Sequence, residues 1–152
     1  QADILHLPFK DEYADYVELI NCIEHFPMKG IVDYIKEIHR VMKKGAKLII
    51  VTNNMDALAI DWLEMVVHPP FDLEQFINVA ETIYGNQFAQ GEIHRCPFNP
   101  SFMNVVLSSA GFTNGQVFNF NKGAIAPTFG SVKPIREGAV LRNDIIYAEC
   151  IK

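Results

Sequence analysis

A strand, a helix and a second strand within residues 16–52 constrain the fold of this chain more than any other feature. Residues 16–23 (YVELINCI) are a mostly apolar run with β-branched members, which is typical of a buried strand. A helix is predicted over 29–43, and its apolar face consists of Ile31, Ile35, Ile38 and Met42. Residues 47–52 (KLIIVT) are the clearest strand in the chain. Two strands joined by a helix predict a right-handed βαβ unit.

The helix and strand signals continue after residue 54. Asp56 is a candidate cap for a short helix that ends before His68, because two prolines follow there. The predicted elements after it are a helix from 72 to 84 opened by Asp72, a helix capped by Asn99 and stopped by Gly111, and strands over 116–120 and 145–151. Gly45 suits the left-handed position just past the first helix. The alternation predicts an α/β fold with a parallel sheet.

Composition narrows the class of protein. The 152 residues are 49% hydrophobic, which suits one domain with a real core and excludes disorder. No run approaches the roughly 18 apolar residues of a membrane helix. Thirteen Lys and Arg against eighteen Asp and Glu give a net charge of −5, which argues against nucleic acid as a partner. Three widely spaced cysteines form no disulfide pattern and favour a reducing, cytoplasmic location.

An ordered set of motifs fills the first third of the chain. It reads D-I-L-H-L-P-F over 3–9, D-Y-V over 15–17, I-E-H over 23–25 and E-I-H-R-V-M-K-K-G over 37–45. This order and spacing resemble class I S-adenosylmethionine-dependent methyltransferases, from the end of their third strand onward. Further along, Y-G-N-Q at 84–87 and the residues up to 112 are similar to methyltransferases found beside sugar-transfer enzymes.

The resemblance implies a partial doubly wound, Rossmann-like methyltransferase sheet. It would hold strands four to seven of that fold, with the last strand antiparallel, in one domain spanning residues 1–152. Residues 55–98 would form a helical insert or an acceptor-side region. The family's glycine-rich cofactor loop and its ribose-binding acidic residue lie upstream of Gln1, and no G-x-G-x-x-G motif occurs here.

The resemblance also implies a cofactor, S-adenosylmethionine, and four residues near it. Asp3 would accept a hydrogen bond from the adenine amino group, and the backbone N–H of Ile4 would meet a ring nitrogen. The alternative for Asp3 is a mobile terminal residue. Asn21 and Cys22, at the end of the first strand, would flank the methionine part largely through their carbonyls. The Cys22 side chain itself is expected to be a small buried hydrophobe.

Four further residues are candidates for the acceptor side. His25 is the candidate catalytic residue, since imidazole can take a proton from an acceptor near neutral pH, and Glu24 beside it is a candidate substrate ligand. The alternative for both is a structural strut. His94 and Arg95 would bind the acceptor, or belong to a solvated loop. The histidines show no metal-ligand spacing, so no metal site is expected.

The sequence therefore predicts methyl transfer to a small polar or sugar-like acceptor by the intact enzyme. The chain alone is expected to have little catalytic activity, because the motif for the cofactor loop is not among its residues. The alternative is a binding or assembly module with a methyltransferase-like fold; a nicotinamide-dependent enzyme fits the motifs less well. An unpaired edge on the strand at 16–23 predicts a homodimer or a strand-swapped assembly.

Overall fold

Four strands form one mixed sheet in the computed structural model, which describes residues 4–68, 70–88, 91–119 and 145–152. The elements are β1 (Ala14–Ile20), a short 3-10 helix (Ile23–His25), α1 (Ile31–Val41), β2 (Met42–Asn53), α2 (Met55–Val67), α3 (Leu73–Tyr84), α4 (Pro100–Ser109), β3 (Thr113–Asn119) and β4 (Ile145–Ile151). The strand order across the sheet is β1-β2-β4-β3. No helix of these described ranges is long and apolar enough to cross a membrane.

The sheet has one parallel pair and two antiparallel pairs. β1 and β2 run parallel and are connected by α1, which is the predicted βαβ unit. β4 lies between β2 and β3 and is antiparallel to both. The predictions of an α/β fold and of an antiparallel last strand are confirmed. The assignment of these strands to positions four to seven of a larger sheet stays a prediction.

Alternate side chains of β2 separate two cores. Leu48 and Ile50 are fully buried among the apolar side chains of α1 and α4, whereas Ile49 and Val51 face the other side with Tyr147. This alternation follows from the two-residue period of a strand. The predicted apolar face of the first helix is confirmed, since its three isoleucines are no more than 4% exposed. Burial of each contributes about 1.5–3 kcal/mol.

Several predicted boundaries were wrong, including both ends of β1, both ends of α1 and the start of β2. β1 ends at Ile20 because Asn21 takes a left-handed conformation (φ 47°) and donates its backbone N–H to the carbonyl of Val51 at 2.9 Å. α1 ends at Val41, because buried Met42 already pairs with Ala14 of β1. Gly45 is left-handed (φ 79°) as predicted, but it lies inside β2 and not at the helix end.

The predicted helix caps are largely confirmed. The Asp72 side chain accepts a hydrogen bond from the backbone N–H of Gln75, and Asn99 accepts one from Phe102. At the start of α2 the prediction of Asp56 was wrong, because Asn54 is the cap and accepts the Asp56 N–H at 3.2 Å. Asp56 instead accepts a hydrogen bond from Asn99 and so connects α2 to the start of α4.

Candidate functional site

Polar groups converge where β1 and β2 end. After β1, the turn at Asn21 leads into the 3-10 helix, which carries Glu24 into the interior with only 3% of the residue exposed. Thr52, near the end of β2, donates its hydroxyl to Glu24 Oε2 at 2.9 Å. The carboxyl ends of parallel strands meet at one edge of a sheet, which is where α/β folds bind ligands.

The loop after α3 forms the second wall of this site. The backbone N–H groups of Arg95 and Cys96 both donate to the carbonyl of Glu24, at 2.7 and 3.0 Å. The N–H of His94 donates to the carbonyl of Tyr84 at 3.1 Å. Gly85 permits this close approach, because a Cβ at that position would lie 1.7 Å from the carbonyl oxygen of Glu92.

These contacts bring Glu24, His25 and His94 together. One ligand atom of each lies within 4.8 Å of the other two. The two imidazole rings are 4.9 Å apart between centroids and meet edge to face. His25 Nδ1 lies 3.2 Å from the carbonyl of Ile93, and His94 Nδ1 lies 2.9 Å from the carbonyl of Thr82. A carbonyl only accepts, so both Nδ1 atoms carry a proton and both Nε2 atoms present a lone pair in the neutral ring.

Two adjoining cavities surround this cluster. The larger, about 670 Å³, is a polar cleft with Asn21, Glu24, His25, Asn53, Asn78, Glu81, Thr82, Gly85, Asn86, Glu92 and His94 in its wall. The smaller, about 240 Å³, is mainly apolar, and it shares Glu24, Asn53, Thr82 and His94 with the first. A polar cleft beside an apolar cavity suits a small hydroxylated or amino ligand.

The cysteines near the site are held as thiols. Burial raises the pKa of Cys22 above its usual range, and the charge of Glu24 adds to that effect. Burial likewise raises the pKa of Cys96 to about 11. A thiol at neutral pH is a poor nucleophile. Cys22 packs partly buried against the core, which agrees with its expected role as a small hydrophobe.

The structure brings four of the predicted site residues to one cleft. Asn21, Glu24, His25 and His94 line it, while Cys22 turns toward the core. Arg95 borders the apolar cavity and is exposed to solvent. Ile4 packs against the core beneath, and Asp3 lies outside the described residues.

Sequence analysis missed the polar residues contributed by other elements. Asn53 follows the last buried residue of β2, and the rule that ligands bind at the carboxyl ends of strands points to it. Asn78 and Glu81 project from α3, and Glu92 comes from the loop that covers the 3-10 helix. No sequence pattern signals these three, because their position depends on how the α2–α3 pair packs.

Comparison with known proteins supports one family. A family model described as a methyltransferase domain matches residues 1–50. The uncharacterized protein MJ0638 of Methanocaldococcus jannaschii is 38% identical over 92 residues, which are 56% of this chain and 38% of that protein. The chain thus spans about two fifths of the length of this curated relative.

Solved structures share the fold at low identity. A SAM-dependent methyltransferase from Archaeoglobus fulgidus is 15% identical with a TM-score of 0.59, and the match covers 100% of this chain and 66% of that one. A SAM-dependent methyltransferase from Thermotoga maritima, described as a possible histamine N-methyltransferase, is 16% identical with a TM-score of 0.60, over 99% and 61%.

The sequence match and the structural matches agree with each other. The family model covers the segment that carries the quoted motifs, and the fold match extends over the whole chain. The expected cofactor, S-adenosylmethionine, is the one named for the two solved structures. Together these findings show that residues 1–50 are similar to a methyltransferase domain and that the chain shares the fold of solved S-adenosylmethionine-dependent methyltransferases.

Proposed function

We propose that this chain forms the acceptor side of an S-adenosylmethionine-dependent methyltransferase that acts on a small polar or sugar-like molecule. The observation that supports this most is the polar cleft of about 670 Å³ at the carboxyl ends of β1 and β2. It combines carboxylate, amide and imidazole groups, which are the partners that hydroxyl and amino groups need. Methyl transfer depends mainly on holding donor and acceptor in line, and a cleft of fixed polar groups does this.

The proposed donor position is the rim of the cleft beside β1. Asn21 is exposed there, in a left-handed turn that fixes its backbone carbonyl, and Cys22 follows it. We propose that these two residues flank the methionine part of the cofactor, while Asp3 and Ile4 meet the adenine. The resemblance to the methyltransferase family implies this arrangement, and Asn21 is the residue in it that lines the cleft.

The acceptor would lie between the two histidines and α3. We propose that His25 contacts the acceptor hydroxyl or amine through Nε2 and receives its proton, since the carbonyl of Ile93 holds the ring by its Nδ1. Glu24 and His94 complete the contact surface, and Arg95, at the mouth of the apolar cavity, would pair with an anionic group of the acceptor. Residues 55–98, which carry α2, α3 and the covering loop, are proposed to set acceptor specificity.

Calorimetric titration with S-adenosylhomocysteine tests the donor position. Saturable binding near one site per chain or per dimer supports the proposal, and absence of binding up to millimolar ligand contradicts it for this chain. Asn21→Val disfavours the left-handed turn that fixes the backbone carbonyl, because a β-branched residue rarely adopts a positive φ, and it is expected to weaken binding severalfold. Asn114→Val is the matched control, because Asn114 is also left-handed (φ 52°) and lies in β3 away from the cleft.

The second candidate is a binding module with no methyl transfer. The observation that favours it is the polar cleft itself, whose fixed amide, carboxylate and imidazole groups can bind a small ligand without a methyl donor. A module of this kind would bind a polar ligand in the cleft and leave S-adenosylhomocysteine unbound. Formation of S-adenosylhomocysteine from S-adenosylmethionine in the presence of sugar and amino acceptors would rule it out.

We further propose a homodimer formed through the free edge of β1, and a cytoplasmic location. β1 is at the end of the strand order, so its outer edge has no neighbouring strand among the described residues. The cysteines at 22, 96 and 150 are unpaired thiols, which fits a reducing compartment. The net charge of −5 supports a small-molecule acceptor over nucleic acid.

A further inference from the structure

The cluster of Glu24, His25 and His94 has the composition of a metal site. Two imidazoles and one carboxylate are a common ligand set for divalent zinc and for other first-row transition metals, with further positions left open for substrate. We propose that these three side chains bind one divalent transition-metal ion, with zinc as the best-fitting ion. The sequence shows no metal-ligand spacing for these residues, because His25 and His94 are far apart in the chain and meet only through the fold.

The hydrogen bonds behind the two rings support this proposal. Metal-binding histidines almost always donate the second ring N–H to a carbonyl or carboxylate, which fixes the tautomer and directs the other nitrogen at the metal. His25 and His94 both do this, toward the carbonyls of Ile93 and Thr82. Both Nε2 lone pairs are therefore available to a cation, without a change in either ring's existing contact.

The third ligand is also held in a fixed position. Glu24 is buried, and Thr52 holds one of its carboxylate oxygens by a hydrogen bond of 2.9 Å. Burial of a carboxylate is costly unless a cation or several hydrogen bonds compensate for the lost hydration. A metal ion between Glu24 and the imidazoles supplies that compensation, and Thr52 then acts as the outer partner that orients the ligand.

The distances are compatible with binding after small side-chain movements. Ligand atoms about 2.1 Å from a tetrahedral zinc lie about 3.4 Å from one another. The three ligand atoms are within 4.8 Å, so closure requires a contraction of at most about 1.4 Å. Both histidines are only partly buried, which leaves their rings room to move.

The open coordination position would face the polar cleft. Glu92 lines that cleft, and its Oε2 atom is shielded from solvent with no hydrogen-bond partner among the described residues. An acceptor or water bound to the ion provides a donor for such an oxygen. If the protein transfers methyl groups as proposed above, the cation would stabilise negative charge on the acceptor oxygen, His25 would act as a ligand and not as the proton acceptor, and the proton of the acceptor would pass to Glu92 Oε2.

Zinc titration of the whole purified chain, stripped of metal with a chelator, tests the site without any methyl-transfer assay. We expect one zinc ion per chain by calorimetry and by competition with a chromophoric chelator. His25→Ala and His94→Ala are each expected to weaken binding at least tenfold, and Glu24→Gln to weaken it as well. His68→Ala is the matched control, since His68 lies at the end of α2 outside the cluster. Circular dichroism would show that each variant is folded.

The outcomes separate this inference from the proposed function. No saturable zinc binding at millimolar concentration, or equal affinity in the wild type and in both His25→Ala and His94→Ala, would overturn the metal site. Cobalt substitution gives a second readout: a strong visible absorption band of tetrahedral Co²⁺ that both histidine variants lose supports it. Binding of S-adenosylhomocysteine is measured apart from zinc, so either proposal can fail while the other holds.

Discussion

The loop after α3, which carries Glu92 and His94 over the 3-10 helix, depends most on Gly85. Its φ of 81° is one that other residues rarely adopt, and a Cβ there would meet the Glu92 carbonyl at 1.7 Å. Gly85→Ala must therefore displace the loop that carries His94. We expect the free energy of unfolding to fall by more than about 2 kcal/mol, measured by urea denaturation, since strain of this kind alone costs about 1–3 kcal/mol. Zinc affinity should fall with it.

Alanine substitutions at two other glycines distinguish the cost of backbone strain from the cost of the steric clash with Glu92. Gly45 also has a left-handed φ (79°), but a Cβ there meets nothing within 4 Å, so Gly45→Ala should show the strain alone. Gly91 lies in the covering loop with open space around it, and Gly91→Ala should change stability by less than about 0.5 kcal/mol. A loss for Gly85→Ala no larger than that for Gly45→Ala would contradict the close approach to Glu92.

Thr52 is expected to stabilise the fold through its bond to the buried Glu24 carboxylate. Thr52→Val keeps the shape and removes the donor, so a buried acceptor loses its partner. Hydrogen bonds to charged groups contribute about 1.5–3 kcal/mol, and we expect a loss of that size in urea unfolding at pH 7. Thr113→Val is the control, because its hydroxyl bond is long (3.4 Å) and exposed. Equal losses in both variants would argue against a special role for Glu24.

The sequence predicted individual residues where the controlling contact is local. Asp72 and Asn99 bond to a backbone N–H three residues ahead, so the pattern around them contains the information. The choice of Asn54 over Asp56 as a cap was missed, because it depends on Asp56 being held by Asn99, 43 residues away. The sequence could not predict the approach of His94 to His25 for the same reason. The backbone hydrogen bonds from Arg95 and Cys96 to Glu24 that cause it join segments far apart in the chain.

At the scale of elements, Arg40 fastens the segment before β1 to α1. Its guanidinium donates two hydrogen bonds to Glu37, at 2.6 and 2.7 Å, and one to the carbonyl of Phe9 at 2.9 Å. Glu37 in turn accepts the backbone N–H of Leu7 at 2.9 Å. The residues of this connection lie in the motifs that matched the methyltransferase domain. These hydrogen bonds explain why the matched motif contains Glu37 and Arg40: the two residues fix the segment before β1 to α1.

The Glu37–Arg40 pair predicts a dependence of stability on pH. Hydrogen bonds from Arg40 lower the pKa of Glu37 in the folded protein. The unfolded chain therefore takes up a proton more readily, so the stabilisation is present above the ordinary glutamate pKa of about 4.3 and is lost as pH falls through the lower folded value. Glu37→Gln should be less stable than the wild type at pH 7, by about 1 kcal/mol or more. The difference should shrink below pH 4 in urea unfolding.

A surface glutamate provides the control for this pH dependence. Glu64 is exposed on α2, and Glu64→Gln makes the same chemical change without an arginine partner of this kind. Its stability should follow that of the wild type within about 0.5 kcal/mol at every pH. A difference between wild type and Glu37→Gln that stayed constant from pH 7 to pH 3 would show that the pair does not titrate as described.

Helices and strands were predicted well where hydrophobic periodicity determines them, and less well where strand pairing determines their ends. The apolar period of α1 and the run 47–52 of β2 are properties of the chain itself. β2 nevertheless begins at Met42, because Ala14 of β1 offers a pairing partner there, and no local pattern signals this. The same pairing of Met42 with Ala14 ends α1 two residues earlier than the sequence predicted. Tertiary pairing overrides local propensity at such boundaries.

At the scale of the whole molecule, the order of motifs predicted more than periodicity did. Alternating strands and helices gave only an α/β fold, whereas the resemblance predicted that the last strand is antiparallel, as β4 is. Neither the periodicity nor the resemblance predicted the exposure of α2. Its apolar residues Ile60, Leu63 and Val67 are more than half exposed. No pattern in a single chain indicates which apolar helix face a neighbouring molecule or segment covers.

The free edge of β1 predicts self-association, which a change of charge should weaken. In a dimer joined edge to edge, Tyr16 and Glu18 of one copy lie beside the same strand of the other. Tyr16 is 43% exposed, so Tyr16→Glu adds negative charge without removing a core residue. Like charges on paired strands cost about 0.2–1 kcal/mol per pair, and symmetry doubles this, so the dimer Kd should rise by about twofold to thirtyfold. Light scattering after size exclusion should show twice 17.2 kDa for the wild type and a lower mass for the variant.

High salt and a distant variant test whether the edge itself causes the association. Salt screens repulsion between exposed charges, so 0.5 M NaCl should partly restore the dimer of Tyr16→Glu. Tyr84→Glu makes the same change of charge at the end of α3, where Tyr84 is 53% exposed, and it should leave the mass unchanged. A wild-type mass of 17.2 kDa at all concentrations would show that β1 keeps an open edge in solution. If Tyr16→Glu and Tyr84→Glu dissociated the dimer equally, the interface would include α3 and would not be the edge of β1 alone.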